Sequence, residues 1–205
     1  MEDFWNNRYK EKEFAYGTSP NVFFKNTIDK LNIEGTLLLP AEGEGRNAVY
    51  AAKKGLNVLA FDISEEGKNK AMELARSEHV EIDYRVGELN QLNLKKNSFD
   101  ALALIYAHFA ANEKDKLHKD LAKLIKPNGY LILEGFSVNN LELREKNPNV
   151  GGPANREMLY SKQEIKQTFI DFEIIELEET QIELMEGSFH NGLASVIRFI
   201  GKKNA

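Results

Sequence analysis

The stretch TLLLPAEGEGRNAVYAA, residues 36–52, runs from a short apolar segment through a glycine-broken turn into a helix-forming segment. Thr36 to Leu39 reads as a buried strand, Gly43 and Gly45 break it, and Ala48, Ala51 and Ala52 follow with helical spacing. Glycines in such a turn let the backbone approach a ligand, and free amides at a helix start favour an anionic group. The same two glycines also suit a turn that is merely tightly packed, so the motif needs support from elsewhere in the chain.

Working outward, apolar runs at Asn57 to Phe61, Glu81 to Val86, Ala101 to Ile105 and Tyr130 to Leu133 alternate with helical patterns. That alternation predicts a doubly wound α/β fold, with a parallel sheet covered by helices on both faces. Ala71, Leu74 and Ala75 form one helical stripe behind Ser64, whose hydroxyl can cap the helix. Leu117, Leu121, Leu124 and Ile125 form another stripe, expected to end before Pro127 and Gly129. Ser19-Pro20 reads as an N-cap and first helical position, leading into a helix through Phe24, Ile28 and Leu31 that packs on the edge of the sheet. Ser137 to Tyr160 is the least regular segment, and a long loop at the C-terminal end of a strand is a common seat of function. A helix near Ser161 to Phe169 then precedes two strands, Glu173 to Leu184 and Ala194 to Ile200, joined as an antiparallel hairpin through residues 186–192.

Support for a ligand-binding turn comes from two acidic residues at neighbouring strand ends. Asp62 closes the second strand, where a carboxylate can accept hydrogen bonds from both ribose hydroxyls, and Ser64 already serves as the N-cap that Asp62 would otherwise be. Glu88 follows the third strand, where it can receive the exocyclic amine of adenine or stand as an exposed loop carboxylate. The apolar Ile63 is suited to cover one adenine face. A dinucleotide fingerprint GxGxxG fails, because its three positions would be Ala41, Gly43 and Arg46, and no GxxxxGK[ST] phosphate loop occurs.

Composition removes other classes. A formal charge of −5 with dispersed lysine pairs argues against a nucleic-acid partner, which requires a concentrated basic face. No apolar run reaches the length of a membrane span, and the first residues carry neither a basic nor an apolar leader, so a cytoplasmic protein without a membrane partner is expected. With no cysteine there is no disulfide, thiolate metal site or cysteine nucleophile. The four histidines lack metal-ligand spacing, and no metal is expected.

Taken as an ordered set over nearly the whole chain, these motifs resemble the class I S-adenosylmethionine-dependent methyltransferases, in particular the small family similar to tellurite-resistance and thiopurine methyltransferases. The resemblance is carried by Trp5-Asn6-Asn7-Arg8-Tyr9, by residues 16–21, by LPAEGEGRNAVYAA from Leu39 and by VLAFDIS from Val58. LIKPNGYLILEGFS from Leu124, Gly151-Gly152-Pro153 and EGSFHNGLASVIRFIGKK from Glu186 complete it. It implies a Rossmann-like, seven-stranded sheet of order 3-2-1-4-5-7-6 with the last strand antiparallel. Against the common signature DxGxGxG, Leu39 stands for the acid and Ala41 for the first glycine, and Asn128 replaces a glycine in the KPGG turn.

The resemblance further implies that Ala41, Glu42 and Gly43 lie against the methionine part of S-adenosylmethionine, Asp62 against ribose, and Glu88 and Leu89 against adenine, with Ile105 at the fourth strand end among the cofactor contacts. It divides the chain into an N-terminal lid and leading helix (1–35), a cofactor-binding core (36–136), an active-site loop (137–160) and a C-terminal helix and hairpin (161–205), all one methyltransferase domain. Arg8, Tyr9 and Tyr16 would form a lid over the cofactor carboxylate and sulfonium, although Trp5, Tyr9 and Tyr16 equally suit plain packing of a terminal segment. The expected reaction moves a methyl group to a small-molecule acceptor, a thiol, chalcogen oxyanion or similar, leaving S-adenosylhomocysteine. His190 is the leading general-base candidate and His108 the second, each with a local structural role as its alternative, whereas His79 and His118 read as surface or end residues of helices. Two other readings stay open: a module that binds the cofactor without turnover, and a nicotinamide oxidoreductase.

Overall fold

The strands predicted from apolar runs assemble into a single seven-stranded sheet in the computed structural model, which describes residues 1–205. In chain order they are β1 (Thr36–Pro40), β2 (Asn57–Asp62), β3 (Asp83–Val86), β4 (Phe99–Ile105), β5 (Ile125–Phe136), β6 (Phe172–Glu186) and β7 (His190–Lys203). The spatial order is 3-2-1-4-5-7-6. β1 to β5 pair in parallel, and β7 runs antiparallel to both β5 and β6. Parallel strands need crossover helices, and those helices bury both faces of the sheet.

The helices are α1 (Glu2–Tyr9), α2 (Val22–Leu31), α3 (Arg46–Lys53), α4 (Glu65–Ser77), α5 (Lys114–Ala122), α6 (Asn140–Lys146) and α7 (Lys162–Thr168). Because side chains alternate along a strand, Leu37 and Leu39 join α2, α3 and α4 in one core, while Leu38 joins α5 and α7 in the other. All three leucines are almost completely buried, worth about 2 kcal/mol each against exposure. No helix is long and apolar enough to cross a membrane.

Several elements depart from the sequence reading. The leading helix starts at Val22 with Asn21 as its cap, Asn21 Oδ1 accepting from the Phe24 amide at 2.9 Å, so Ser19-Pro20 stands outside it. Asn21 wins because its own backbone amide and Nδ2 are also claimed by buried partners, Asn47 and Glu134. The same helix lies over the sheet face rather than its edge, packing Phe24 and Ile28 into the core with Leu37, Ala101 and Ile132. The fifth helix ends at Ala122, and Leu124 and Ile125 are buried beyond it. Lys126 to Gly129 bulges out of β5, with Asn128 left-handed at φ 64° as its residue type permits. The irregular segment 137–160 contains α6 and two short 3₁₀ turns, Pro148–Val150 and Arg156–Met158. The hairpin connection narrows to residues 187–189, because pairing of Glu186 with His190 satisfies backbone groups that a longer loop would leave open.

Candidate functional site

The C-terminal ends of the parallel strands open onto one rim. After β1 the chain turns through Ala41 (φ 52°), Gly43 (φ 64°) and Gly45 (φ 84°) before entering α3. Ala41 fills a position where glycine costs nothing, a strain of about 1 kcal/mol, and it is exposed on the rim. A side chain at Gly43 would be strained by its left-handed φ and would bring a Cβ to 2.7 Å from the Tyr9 hydroxyl. Its carbonyl accepts from the Tyr84 hydroxyl at 2.5 Å, and its amide donates to Asp62 Oδ2 at 3.0 Å.

The helix-start amides of α3 are not free for a ligand anion. Glu42 folds under the turn, and its Oε1 accepts from the amides of Asn47 and Ala48, each at 2.8 Å. The chain supplies its own anion there, since the N-cap Gly45 has no side chain to do so. Burial pushes the Glu42 carboxyl up to about 7 against these hydrogen bonds. The sequence expectation of an open anion site at this helix is therefore corrected, and only the turn above Glu42 faces the rim.

Asp62 ends β2 as expected. Its carboxylate is buried, accepting from Gly43 on one oxygen and from the Ser64 amide at 3.0 Å on the other. Burial raises its pKa to about 6, opposed by the amides of Ser64, Gly43 and Ile63. Each carboxylate oxygen retains a second lone pair for a hydroxyl donor. Glu88 is exposed at the end of β3, where it caps the 3₁₀ turn Leu89–Gln91 and its amide donates to Gln91 Oε1 at 2.8 Å. Ile63 and Leu89 stand half-buried beside these acids, and Ile105 is buried at the end of β4.

The N-terminal segment closes over this rim. Tyr9 is buried and stacks on Trp5 with ring centroids 5.5 Å apart, resting on Gly43 and Gly67. Arg8 donates to the Tyr16 hydroxyl at 2.9 Å and lies 4.0 Å above the Phe189 ring at the hairpin tip. Glu44, buried beside the turn, anchors the segment: it accepts from the Ala15 amide at 2.8 Å and from Lys70 at 2.8 Å, and Lys70 also donates to the Glu13 carbonyl at 2.6 Å. The Ser188 amide completes the clasp by donating to the Ala15 carbonyl.

Beyond the rim, β4, β5 and the hairpin bring aromatic and charged groups together. Tyr106 leaves β4 left-handed at φ 53°, and its hydroxyl donates to Glu134 at 3.0 Å. Glu134 is 1% exposed and also accepts from Asn21 Nδ2 and from Arg198 Nε, each at 2.6 Å. The His190 ring packs against Tyr16, Tyr106 and Phe136 with centroids 4.4, 4.5 and 5.2 Å away. Its Nδ1 meets Glu186 Oε2 at 3.2 Å, and that oxygen accepts from Arg46 at 2.8 Å.

The two histidine candidates thus differ. His108 is spent on backbone: its Nδ1 bonds the Met158 carbonyl at 2.9 Å and its Nε2 accepts from the Phe136 amide at 3.1 Å, with burial pulling its pKa down to about 4. Both nitrogens are committed, which leaves no lone pair for an acceptor. His118, read as a surface residue, is buried and bonds the Tyr160 hydroxyl at 3.2 Å, whereas His79 is exposed after α4. Arg144 Nε donates to the Gly152 carbonyl at 3.0 Å within the 137–160 segment.

Sequence reasoning missed Asn21, Glu44, Arg46, Lys70, Glu186 and Arg198, polar residues whose partners lie far away along the chain. Their one signal was Arg46-Asn47 directly behind the glycine turn. A surface cavity lined by Thr36, Asn57, Asp83 and Phe99 opens at the opposite, N-terminal ends of the strands and is no part of this site. No group of three or more His, Asp or Glu side chains is arranged to hold a metal.

Residues 38–133 match the methyltransferase domain family. The chain is 29% identical over 97 residues to a demethylmenaquinone methyltransferase of Renibacterium salmoninarum, an alignment covering 47% of this chain and 39% of that protein. It is 30% identical over 97 residues to an uncharacterized methyltransferase of Schizosaccharomyces pombe, covering 46% and 67%. To the probable S-adenosyl-L-methionine-dependent methyltransferase TehB of Haemophilus influenzae it is 22% identical over 144 residues, covering 69% and 47%. The alignments thus span between 39% and 67% of the length of these relatives. In fold, the chain is similar to the crystal structure of TehB from Haemophilus influenzae, with TM-score 0.71 and 17% identity over 99% of this chain and 67% of that one. It is likewise similar to a protein solved in work on the conversion of a disulfide bond into a thioacetal group during echinomycin biosynthesis, with TM-score 0.78 and 14% identity over 100% and 92% of the two chains.

Proposed function

The chain belongs to the class I S-adenosylmethionine-dependent methyltransferases, and from that premise we propose that it carries a methyl group from S-adenosylmethionine to a small-molecule acceptor, a thiol, a chalcogen oxyanion or a related group. The observation that carries the reading is the alignment of three rim features on adjacent strands: the Ala41 to Gly43 turn after β1, Asp62 after β2 and Glu88 after β3. The residues present suit the cofactor chemically. Spare lone pairs on Asp62 fit ribose hydroxyls, Glu88 and the apolar Ile63 and Leu89 fit adenine, and the close backbone of Ala41 and Gly43 fits the methionine moiety. Arg8 and the rings of Tyr9 and Tyr16 cover the same rim and fit a carboxylate beside a sulfonium.

Bound S-adenosylmethionine supplies an activated methyl group on a good, neutral leaving group. What remains for the chain is to orient the acceptor in line and to exclude water, and positioning alone removes a large part of such a barrier. The rings of Tyr16, Tyr106, Phe136 and His190 form a partly enclosed wall beside the lid, suited to both tasks. His190 is the group we place next to the acceptor, and His108, with both nitrogens engaged, is given the task of fixing the 106–108 turn to β5 and the 3₁₀ turn at Met158.

The test offers S-adenosylmethionine with a panel of small thiols, phenols and chalcogen oxyanions and measures released S-adenosylhomocysteine. Acceptor-dependent release supports the proposal; tight binding of S-adenosylhomocysteine with no release for any acceptor would instead make the protein a cofactor-binding module.

A further inference from the structure

Glu186 closes β6 and His190 opens β7 across the hairpin tip, so a three-residue turn sets their side chains face to face. Glu186 is itself immobilised. Arg46 donates to its Oε2 at 2.8 Å, the oxygen that meets His190 Nδ1 at 3.2 Å, while Asn21 Nδ2 reaches its Oε1 at 3.3 Å. Arg46 also donates to the Tyr16 carbonyl, which ties the pair to the lid segment. An ionised carboxylate only accepts hydrogen bonds, so in the neutral ring the proton must sit on Nδ1 and the lone pair on Nε2.

Nε2 makes no hydrogen bond within the chain, and because no fully buried side-chain nitrogen or oxygen lacks a partner, this nitrogen keeps some accessible surface in a residue that is 6% exposed. It emerges beside Gly151, where a Cβ would stand 2.7 Å from His190 Cδ2 and 3.2 Å from Nε2. Gly151 thus has no side chain to cover that edge of the ring.

We infer that Glu186 is a positioning residue that fixes His190 in the tautomer presenting a lone pair, and that the acceptor is accordingly protic, a thiol or hydroxyl, and not a fully deprotonated oxyanion. The inference rests on the methyl-transfer reading above. Nε2 takes the proton from the acceptor's S–H or O–H while the acceptor heteroatom bonds the methyl carbon. The electron pair of the breaking carbon–sulfur bond goes to sulfur, giving S-adenosylhomocysteine, and the imidazolium then returns its proton to water. A fully deprotonated oxyanion has no proton to surrender and would meet a lone pair, an unfavourable contact beside a buried ring. The groups facing the ring are Glu186 from β6, Arg46 from α3, Arg8 from α1, Tyr16 from the lid, and Tyr106 and His108 from the segment after β4. Burial pulls the His190 pKa down, Glu186 opposes this, and the two arginines add to it, so the ring is neutral at neutral pH as a base must be.

The experiment uses the full chain as wild type, His190→Asn and Glu186→Ala. Ring nitrogen NMR of the S-adenosylhomocysteine complex at neutral pH is expected to show His190 protonated on Nδ1 in wild type and as mixed tautomers in Glu186→Ala. Turnover of thiol or phenol acceptors should fall about a hundredfold or more in His190→Asn, with S-adenosylhomocysteine affinity changed less than about threefold. Protonation on Nε2 in wild type, or oxyanion methylation at a rate indifferent to His190→Asn, would overturn the inference while leaving the methyl-transfer reading intact. Failure of wild-type protein to bind S-adenosylhomocysteine would remove that reading and this inference together. Should Glu186→Ala fail to fold, the wild-type tautomer and the His190→Asn kinetics still decide.

Discussion

Asp62 holds the fold together and is the residue we propose to meet the ligand. Its two oxygens pin the glycine turn and the start of α4, and burial lifts its pKa to about 6. Accepting from two ribose hydroxyls while holding the Gly43 and Ser64 amides is best met by the ionised form, so ligand binding favours release of any proton held there. Affinity for S-adenosylhomocysteine should therefore rise by up to about tenfold per pH unit between pH 4 and 6 and level off above, as read by calorimetric titration. A flat profile across that window would mean that Asp62 does not meet the ligand. Glu134 makes a second prediction at this scale. Arg198→Met leaves a carboxylate that is 1% exposed without its cation, and urea unfolding should show a loss of about 3 kcal/mol. Asp62 and the glycine turn were legible in the sequence because their chemistry is local to one strand end. Glu42 was not: that it caps α3 beneath the turn depends on the helix start lacking a capping side chain, a competition decided only in three dimensions.

At the scale of elements, the N-terminal segment is the part whose role the sequence left divided between packing and lid. Its contacts suit both. Tyr9 packs on the glycine turn as a core residue does, whereas Tyr16 is half-buried, bonded to Arg8 and packed at a tilt against His190. We predict that Tyr16→Ala weakens S-adenosylhomocysteine binding at least about tenfold while shifting unfolding stability by less than about 1 kcal/mol. The lid reading also predicts that trypsin cuts at the exposed Lys10 and Lys12 in the free protein and does so more slowly with ligand bound. Equal affinity in a folded Tyr16→Ala protein would reduce the segment to packing. Elements with a strong period, such as the stripe of α4 behind Ser64, were legible, Ser64 accepting from the Gly67 amide as its position implied. The start of α2 was misplaced because proline at a first helical position is a local signal, and the buried partners of Asn21 overrode it.

For the whole molecule, the sheet order follows from an apolar alternation strong enough to read and from a hairpin whose antiparallel return places β7 between β5 and β6. The consequence is functional: inserting β7 beside β5 carries the tip residues Glu186 to His190 to the same rim as Asp62 and the glycine turn, although they lie more than a hundred residues later in the chain. No local pattern encodes that meeting, which is why the Arg46–Glu186–His190 contact was invisible to sequence reasoning. Whether this rim is an S-adenosylmethionine site is decided by isothermal titration of S-adenosylhomocysteine into wild-type and Asp62→Ala protein, with NAD as a control. The account predicts tight binding by wild type, strong weakening in the folded variant and no binding of NAD; absence of S-adenosylhomocysteine binding to folded wild-type protein, or unchanged affinity in Asp62→Ala, would contradict it.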